Sequence, residues 1–132
     1  MSVLPVRVYY ADTDAGGVVY HATYLRFFEQ GRVESLRQAG VELNVLFEKY
    51  GTMFVVKTIT VRYIKPARLC DLLYIKTKVK ELRKASLVYD QSIYLAESAG
   101  DIICSAEIKL ACVNANMQPC VLPNILKKME SA

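Results

Sequence analysis

Histidine is scarce in this chain: among 132 residues there is one, His21. The four cysteines, at positions 70, 104, 112 and 120, form no CxxC pair and stand far from that histidine in sequence. This spacing excludes a zinc site of the usual kind, and no metal is expected. Cys104 and Cys112 share strand parity within one apolar run, which marks them as buried free thiols. No apolar run approaches the about 18 residues needed to span a bilayer, so no membrane span is expected. Met1 to Pro5 lack the basic start and long apolar stretch of a secretory signal, so the expected setting is cytoplasmic and reducing. No block of Lys or Arg reads as a nucleic-acid tail. The nine tyrosines are not arranged for base stacking, and no nucleic-acid partner is expected. A formal charge of +4 is mild and suits a phosphorylated small ligand or an acidic carrier protein. Repeats, linkers and low-complexity stretches are also missing. The length fits a single domain spanning 1–132, and a hydrophobic fraction of 53% is ample for its core.

What is present is clear periodicity. Pro5 to Tyr10 alternates and is β-rich, and the turn chemistry of Asp12-Thr13-Asp14-Ala15-Gly16-Gly17 breaks it. From about His21 to Gln38 the spacing becomes helical, with Tyr24, Phe28, Gly31, Ser35 and Ala39 on one face. The small residues on that face predict close packing against a sheet, which offsets the cost of a mid-helix glycine. Gly40 supplies a stop. A shorter helix is predicted from Val41 to Tyr50, ending at Gly51. The rest reads as strand. Phe54 to Ile64 carries Ile59, Val61 and Tyr63 on one side. Leu73, Ile75, Thr77 and Val79 alternate with Tyr74, Lys76, Lys78 and Lys80. Leu87 to Leu95 and Ile102 to Cys112 supply two further inner faces. The links 82–85 and 98–101 suit hairpins, and 124–129 suits a helical turn. This order predicts an α+β fold, a curved antiparallel sheet wrapped around one long central helix. The outward mix of Thr, Tyr and Lys suggests subunit contacts.

Polar and special residues concentrate in YYADTDAGGVVYHATYLRFFEQGRVE, residues 9–34. A carboxylate at Asp14, glycines that permit close backbone approach, and free N–H groups at a helix start form one combination. It can attack an acyl carbon, or activate water to do so, while binding the developing oxyanion. The same residues also fit an ordinary Asx turn and loop, with His21 a helix-start residue. Composition and spacing do not separate the two readings.

The run VRVYYADTDAGGVVYHATYLRFFEQGRVESLR closely resembles the YbgC-type acyl-CoA thioesterases, relatives of 4-hydroxybenzoyl-CoA thioesterase in the hot-dog superfamily. The likeness continues through FVVKTITVRYIKPARLCDLL and LRKASLVYDQSIY and ends near VLP at 121–123. It implies a hot-dog fold and hydrolysis of acyl-CoA, or acyl-carrier-protein, thioesters without a separate cofactor, coenzyme A being part of the substrate. It implies Asp14 as nucleophile or general base, with Tyr10 and His21 lining the site and the His21 amide matching an oxyanion donor. Asp12 becomes a structural turn residue. Gly16, Gly17, Tyr20, Phe27, Met53 and Phe54 are expected around the substrate. A turn that meets coenzyme A phosphates aligns with Arg83 and Lys84, although Ala85 replaces a basic residue there. Lys65 and Arg68 are weaker candidates for the same role. Members of this family form dimers, often paired into tetramers, with active sites at the dimer interface. YbgC-like proteins are associated with the Tol-Pal envelope system and phospholipid synthesis, and some bind acyl carrier protein. The Lys76, Lys78, Lys80 stripe would suit such a partner, or be a solvated face. Two other classes share this fold and part of this sequence pattern. A non-hydrolytic adaptor recruiting lipid-synthesis enzymes is disfavoured by retention of Asp14, His21 and the glycines. A hot-dog dehydratase needs an HFP-like motif, which is absent.

Overall fold

The structure, a computed structural model, describes residues 1–98 and 100–131. Five antiparallel strands form one sheet: β1 (Ser2–Arg7), β2 (Met53–Tyr63), β3 (Leu72–Leu82), β4 (Ser86–Leu95) and β5 (Ile102–Val113). Their order is β1-β3-β4-β5-β2. Helix α1 (Thr23–Gln38) packs on the sheet, α2 (Leu43–Tyr50) follows it, and a 3-10 helix (Asn124–Ser131) ends the chain. This is the expected α+β hot-dog arrangement. Among the described residues no helix is long and apolar enough to cross a membrane.

The period-two patterns set the sheet's inner face. Ile75 lies opposite Ile93, which lies opposite Cys104; Thr77, Gln91 and Ala106 form the next row, and Val79, Tyr89 and Ile108 the one after. Most of these side chains are buried, whereas Lys78 and Lys80 face outward. Helix α1 buries Tyr24, Phe27, Phe28, Gly31, Ser35 and Leu36 against that face. Each large apolar side chain so buried contributes about 1.5–3 kcal/mol relative to exposure. Gly31 is the close approach that the sequence predicted. A Cβ there would sit 2.8 Å from both Ile75 Cγ2 and Thr77 Oγ1.

Several boundaries moved. β1 was expected over Pro5–Tyr10 but runs from Ser2 to Arg7, because Tyr10–Asp12 coils into a 3-10 turn. That turn is held by Asp12, whose Oδ2 accepts the Tyr9 N–H at 2.9 Å. α1 starts at Thr23 rather than His21, and α2 at Leu43 rather than Val41. Ala39 lies beyond the last helical residue and is only half-buried. Gly51 ends α2 in the left-handed region (φ 64°), its N–H donating to Phe47 O at 2.8 Å.

The sheet has two distinct ends. At one, residues 8–21 meet the β2–β3 loop and the β4–β5 turn: Val8 N–H donates to Asp71 O and Ala96 N–H to Leu72 O, both at 2.9 Å. At the other, the start of β2 and the β3–β4 hairpin meet α2 and the terminal 3-10 helix. There a second cluster of Leu36, Val41, Leu46, Leu126 and Met129 is packed.

Candidate active site

The loop between β1 and α1 carries two carboxylates with opposite roles. Asp12 is 6% exposed. Besides taking the Tyr9 amide, its side chain pairs with Arg26, and its carbonyl accepts Tyr20 N–H at 2.9 Å. Asp12 is thus the structural turn residue expected. Asp14 is exposed. Its Oδ1 accepts Gly16 N–H at 2.8 Å, its carbonyl accepts Gly17 N–H at 3.0 Å, and Oδ2 has no hydrogen-bond partner among the described residues. One carboxylate oxygen is oriented and the other is unengaged.

The glycines make that geometry possible. A Cβ on Gly16 would stand 3.1 Å from Asp14 Oδ1, and Gly17 adopts φ +81°, which favours glycine. The returning arm of the loop is pinned: Val19 N–H donates to Ala67 O at 2.9 Å, and Ala67 N–H donates to the Tyr24 hydroxyl at 3.0 Å. Burial pushes the Tyr24 phenol up despite that bond, so it stays neutral at ordinary pH.

His21 sits just before α1, exposed, its ring 4.5 Å from that of Tyr20 and 6.5 Å from that of Tyr63. The Tyr63 hydroxyl donates to His21 O at 2.8 Å and ties the helix start to the end of β2. No side chain caps the N-terminus of α1. Two of its first amides are satisfied by backbone carbonyls instead, Thr23 N–H donating to Tyr20 O at 2.9 Å and Leu25 N–H to Ala22 O at 3.1 Å, while the positive end of the helix dipole still favours negative charge nearby. A shallow cleft of about 320 Å³ beside them is lined by Val19, His21, Tyr24, Tyr63 and Lys65. Asp14 and His21 are thus both exposed on the one loop that leads into α1, with the cleft on the His21 side.

Other expected site residues are distributed differently. Tyr10 is 81% exposed, and Tyr20 is exposed near His21. Arg68 lies in the same region, in a bridge with Val18. Lys65 is nearby, but its ammonium pairs with Asp101 at 2.9 Å. Phe27 is buried in the main core. Met53 and Phe54 are at the far end of β2 from Tyr63, on the order of 33 Å away at about 3.3 Å per residue. Arg83 and Lys84 occupy the β3–β4 hairpin, also at that far end, and Arg83 pairs with Glu81 at 2.9 Å. A single chain does not bring these four residues to Asp14. On the sheet's outer face Lys80 pairs with Glu107 and Lys76 stacks on Tyr94, so the basic stripe is partly engaged.

Two residues escaped the sequence reading. Met53 and Phe54 line a cavity of about 310 Å³ that also contains Arg32 and Tyr89. Arg32 is buried, and its position on the helix arc between Phe28 and Leu36 was the available signal.

Comparison with known proteins finds relatives along most of the chain. Residues 16–100 match the family model described as the thioesterase superfamily. The chain is 43% identical to the "Acyl-CoA thioesterase YbgC" of Haemophilus influenzae over 93% of its length and 89% of that protein. It is 46% identical to the "Acyl-CoA thioester hydrolase YbgC" of Escherichia coli, covering 90% of this chain and 87% of the relative. The crystal structure of a probable thioesterase from Bartonella henselae superposes with a TM-score of 0.87 at 38% identity, covering 92% of this chain and 98% of the other.

Proposed function

The chain belongs to the thioesterase superfamily, and from that premise we propose that Asp14 is the catalytic carboxylate with which it hydrolyses acyl-CoA thioesters. The observation that carries this is the exposed Asp14 side chain, one oxygen held by Gly16 N–H and the other unengaged, on the loop that leads into α1. The thioester carbonyl would accept hydrogen bonds from the amides around His21 as its oxygen gains charge. Asp14 then attacks the acyl carbon to give an anhydride that water opens, or deprotonates a water that attacks directly. Thiolate leaves in either route, so no strong general acid is needed. Acyl transfer from acyl carrier protein needs the same chemistry, with the pantetheine arm presented on a protein.

The acyl chain needs a pocket, and the cavity at Met53 and Phe54 is about a strand's length from Asp14 in the same chain. A second copy resolves this. β1 and β2 are the sheet edges. β1 is short and contains Pro5, which blunts it, whereas β2 has eleven residues without proline and exposes Val56 and Tyr63. Antiparallel pairing of two β2 edges about a two-fold axis near Thr58 would set Met53 of one copy opposite Tyr63 of the other. The acyl cavity of one copy then adjoins the Asp14 loop of the other, and the active unit is a dimer.

The test is hydrolysis of short- and long-chain acyl-CoAs, followed by released thiol, with wild type and Asp14→Asn. The variant should lose about a hundredfold or more in kcat with an unchanged melting temperature. Wild-type turnover by Asp14→Asn would overturn the assignment. Complete inactivity of the wild type would leave the non-hydrolytic adaptor as the account. Single turnover in ¹⁸O water tests the direct-attack route, since label enters Asp14 only if an anhydride forms and water opens it at the Asp14 carboxyl carbon.

A further inference from the structure

The cavity beneath α1 holds a buried cation with no ion-pair partner among the described residues, and we propose that it selects acyl groups ending in a carboxylate, received by Arg32 and Tyr89. This rests on the hydrolase reading above and names its substrate class.

Arg32 is 7% exposed, yet it forms no ion pair among the described residues. Its Nη1 donates to Gln91 Oε1 at 3.0 Å. That amide is itself fixed, because Gln91 Nε2 donates to Phe28 O at 2.9 Å and Thr77 Oγ1 at 2.8 Å. A guanidinium has five N–H donors in a planar fork, and this network engages one side of it. Burial pulls the Arg32 pKa below its ordinary value, as expected for a cation removed from water. Tyr89 is fully buried, and its hydroxyl has no hydrogen-bond partner among the described residues. Burial pushes its phenol up to about 12, so it remains a neutral donor.

Both residues border the 310 Å³ cavity, whose other walls include Val33, Leu36, Met53 and Phe54. A lone buried guanidinium and an orphan hydroxyl each cost stability in the empty protein. A carboxylate answers both, because it offers several acceptor lone pairs and a charge that the Arg fork matches. Glu29 also lines the cavity, one turn before Arg32 and exposed, and it favours the charged guanidinium through space without pairing to it. The volume corresponds to roughly ten waters at about 30 Å³ each, which suits a short acyl body with a polar end.

The experiment compares kcat/KM for glutaryl-CoA and valeryl-CoA, which have the same carbon number and differ in the terminal carboxylate. Wild type, Tyr89→Phe and Arg32→Gln are measured in parallel. Wild type should favour glutaryl-CoA by tenfold or more. Tyr89→Phe should cut that ratio several-fold, and Arg32→Gln by about ten- to a hundredfold, the range for a charge-assisted bond. Should Arg32→Gln fail to fold, Tyr89→Phe decides, since it removes only an unpaired hydroxyl. Preference for valeryl-CoA in the wild type, or a ratio untouched by the soluble variants, overturns this inference alone. No turnover of either ester overturns the hydrolase reading and this inference with it.

Discussion

The two ends of the sheet are built on opposite principles. At the Asp14 end the chain is shaped by hydrogen bonds: Asp12 fastens Tyr9 and Arg26, Val19 and Tyr24 fasten Ala67, and Tyr63 fastens His21. The groups with chemistry to offer, Asp14 and His21, stand exposed on that frame. At the Phe54 end the frame is apolar, with α2 and the terminal 3-10 helix packed on Leu36, and the polar groups, Arg32 and Tyr89, are buried within it. An exposed carboxylate on a rigid loop is suited to bond-making, and a buried cation in an apolar cavity is suited to discrimination. The separation between the ends is about the length of β2, so the proposed division of labour is one that two chains, paired as proposed above, would complete.

The sharpest way to break that comparison is subunit complementation. Asp14→Asn and Phe54→Trp each disable every site in a homodimer, the first in chemistry and the second by filling the acyl cavity. If the two ends come from different chains, a mixed dimer regains one intact site. Unfolding and refolding an equimolar mixture should restore about a quarter of wild-type activity, since half the dimers are mixed and each has one good site of two. Activity no higher than that of the separate variants would place both ends in one chain.

This division explains what could be read in the sequence. Alternation in β3, β4 and β5 and the small-residue face of α1 were legible because burial imposes period two on a strand and 3.6 on a helix. Gly31 was legible for the same reason. Asp12 and Asp14, only two residues apart, could not be told apart by pattern. Their difference arises from Arg26, on a later element, and from the glycines that follow. The β1 boundary was misjudged because Tyr9 and Tyr10 have high strand propensity, whereas the Asp12 carboxylate captures the Tyr9 amide. The distance of Met53, Phe54, Arg83 and Lys84 from Asp14 was hidden because it depends on strand direction across the whole sheet.

The two aspartates offer the next test. Asp12→Ala removes the acceptor of the part-buried Tyr9 amide and the partner of Arg26, so it should destabilise the protein by about 1–2 kcal/mol in denaturant titration. Asp14→Ala should change stability by no more than about 0.5 kcal/mol while abolishing turnover. Equal destabilisation by both would show that Asp14 is as structural as its neighbour.

Buried thiols mark both ends and predict a shared alkaline weakness. Cys104 lies beneath Tyr63, opposite it in the β2–β5 register, and Cys112 packs against Cys120, the sulfurs 3.3 Å apart. Burial pushes each of the two buried thiols up to about 12. The unfolded chain ionises nearer the ordinary thiol value of about 8.5. The folded state therefore holds these protons more tightly. Its stability is full below about pH 8.5 and is lost as pH rises towards 12. Chemical denaturation at pH 8, 9.5 and 11 should show a monotonic fall, and Cys104→Ala should flatten it. A flat wild-type profile over that range would contradict the burial of both thiols.

The smallest effect is expected at the hairpin tip. Arg83 pairs with Glu81 on the exposed hairpin surface, and Lys84 stands beside it, both at the Phe54 end. Contact with coenzyme A phosphates there would be screened by water and salt, and Arg83 must first be shared with Glu81. Arg83→Ala should therefore raise KM for acyl-CoA by only about two- to fivefold, leave kcat within error, and lose even that effect near 1 M salt. The same substitution should leave KM unchanged for a thioester of pantetheine alone, which has no nucleotide to hold. A fall in kcat, or an equal KM change for both thioesters, would mean that the hairpin shapes the acyl cavity rather than grips the nucleotide. In that case recognition and chemistry would be more tightly joined than the separation of the two ends implies.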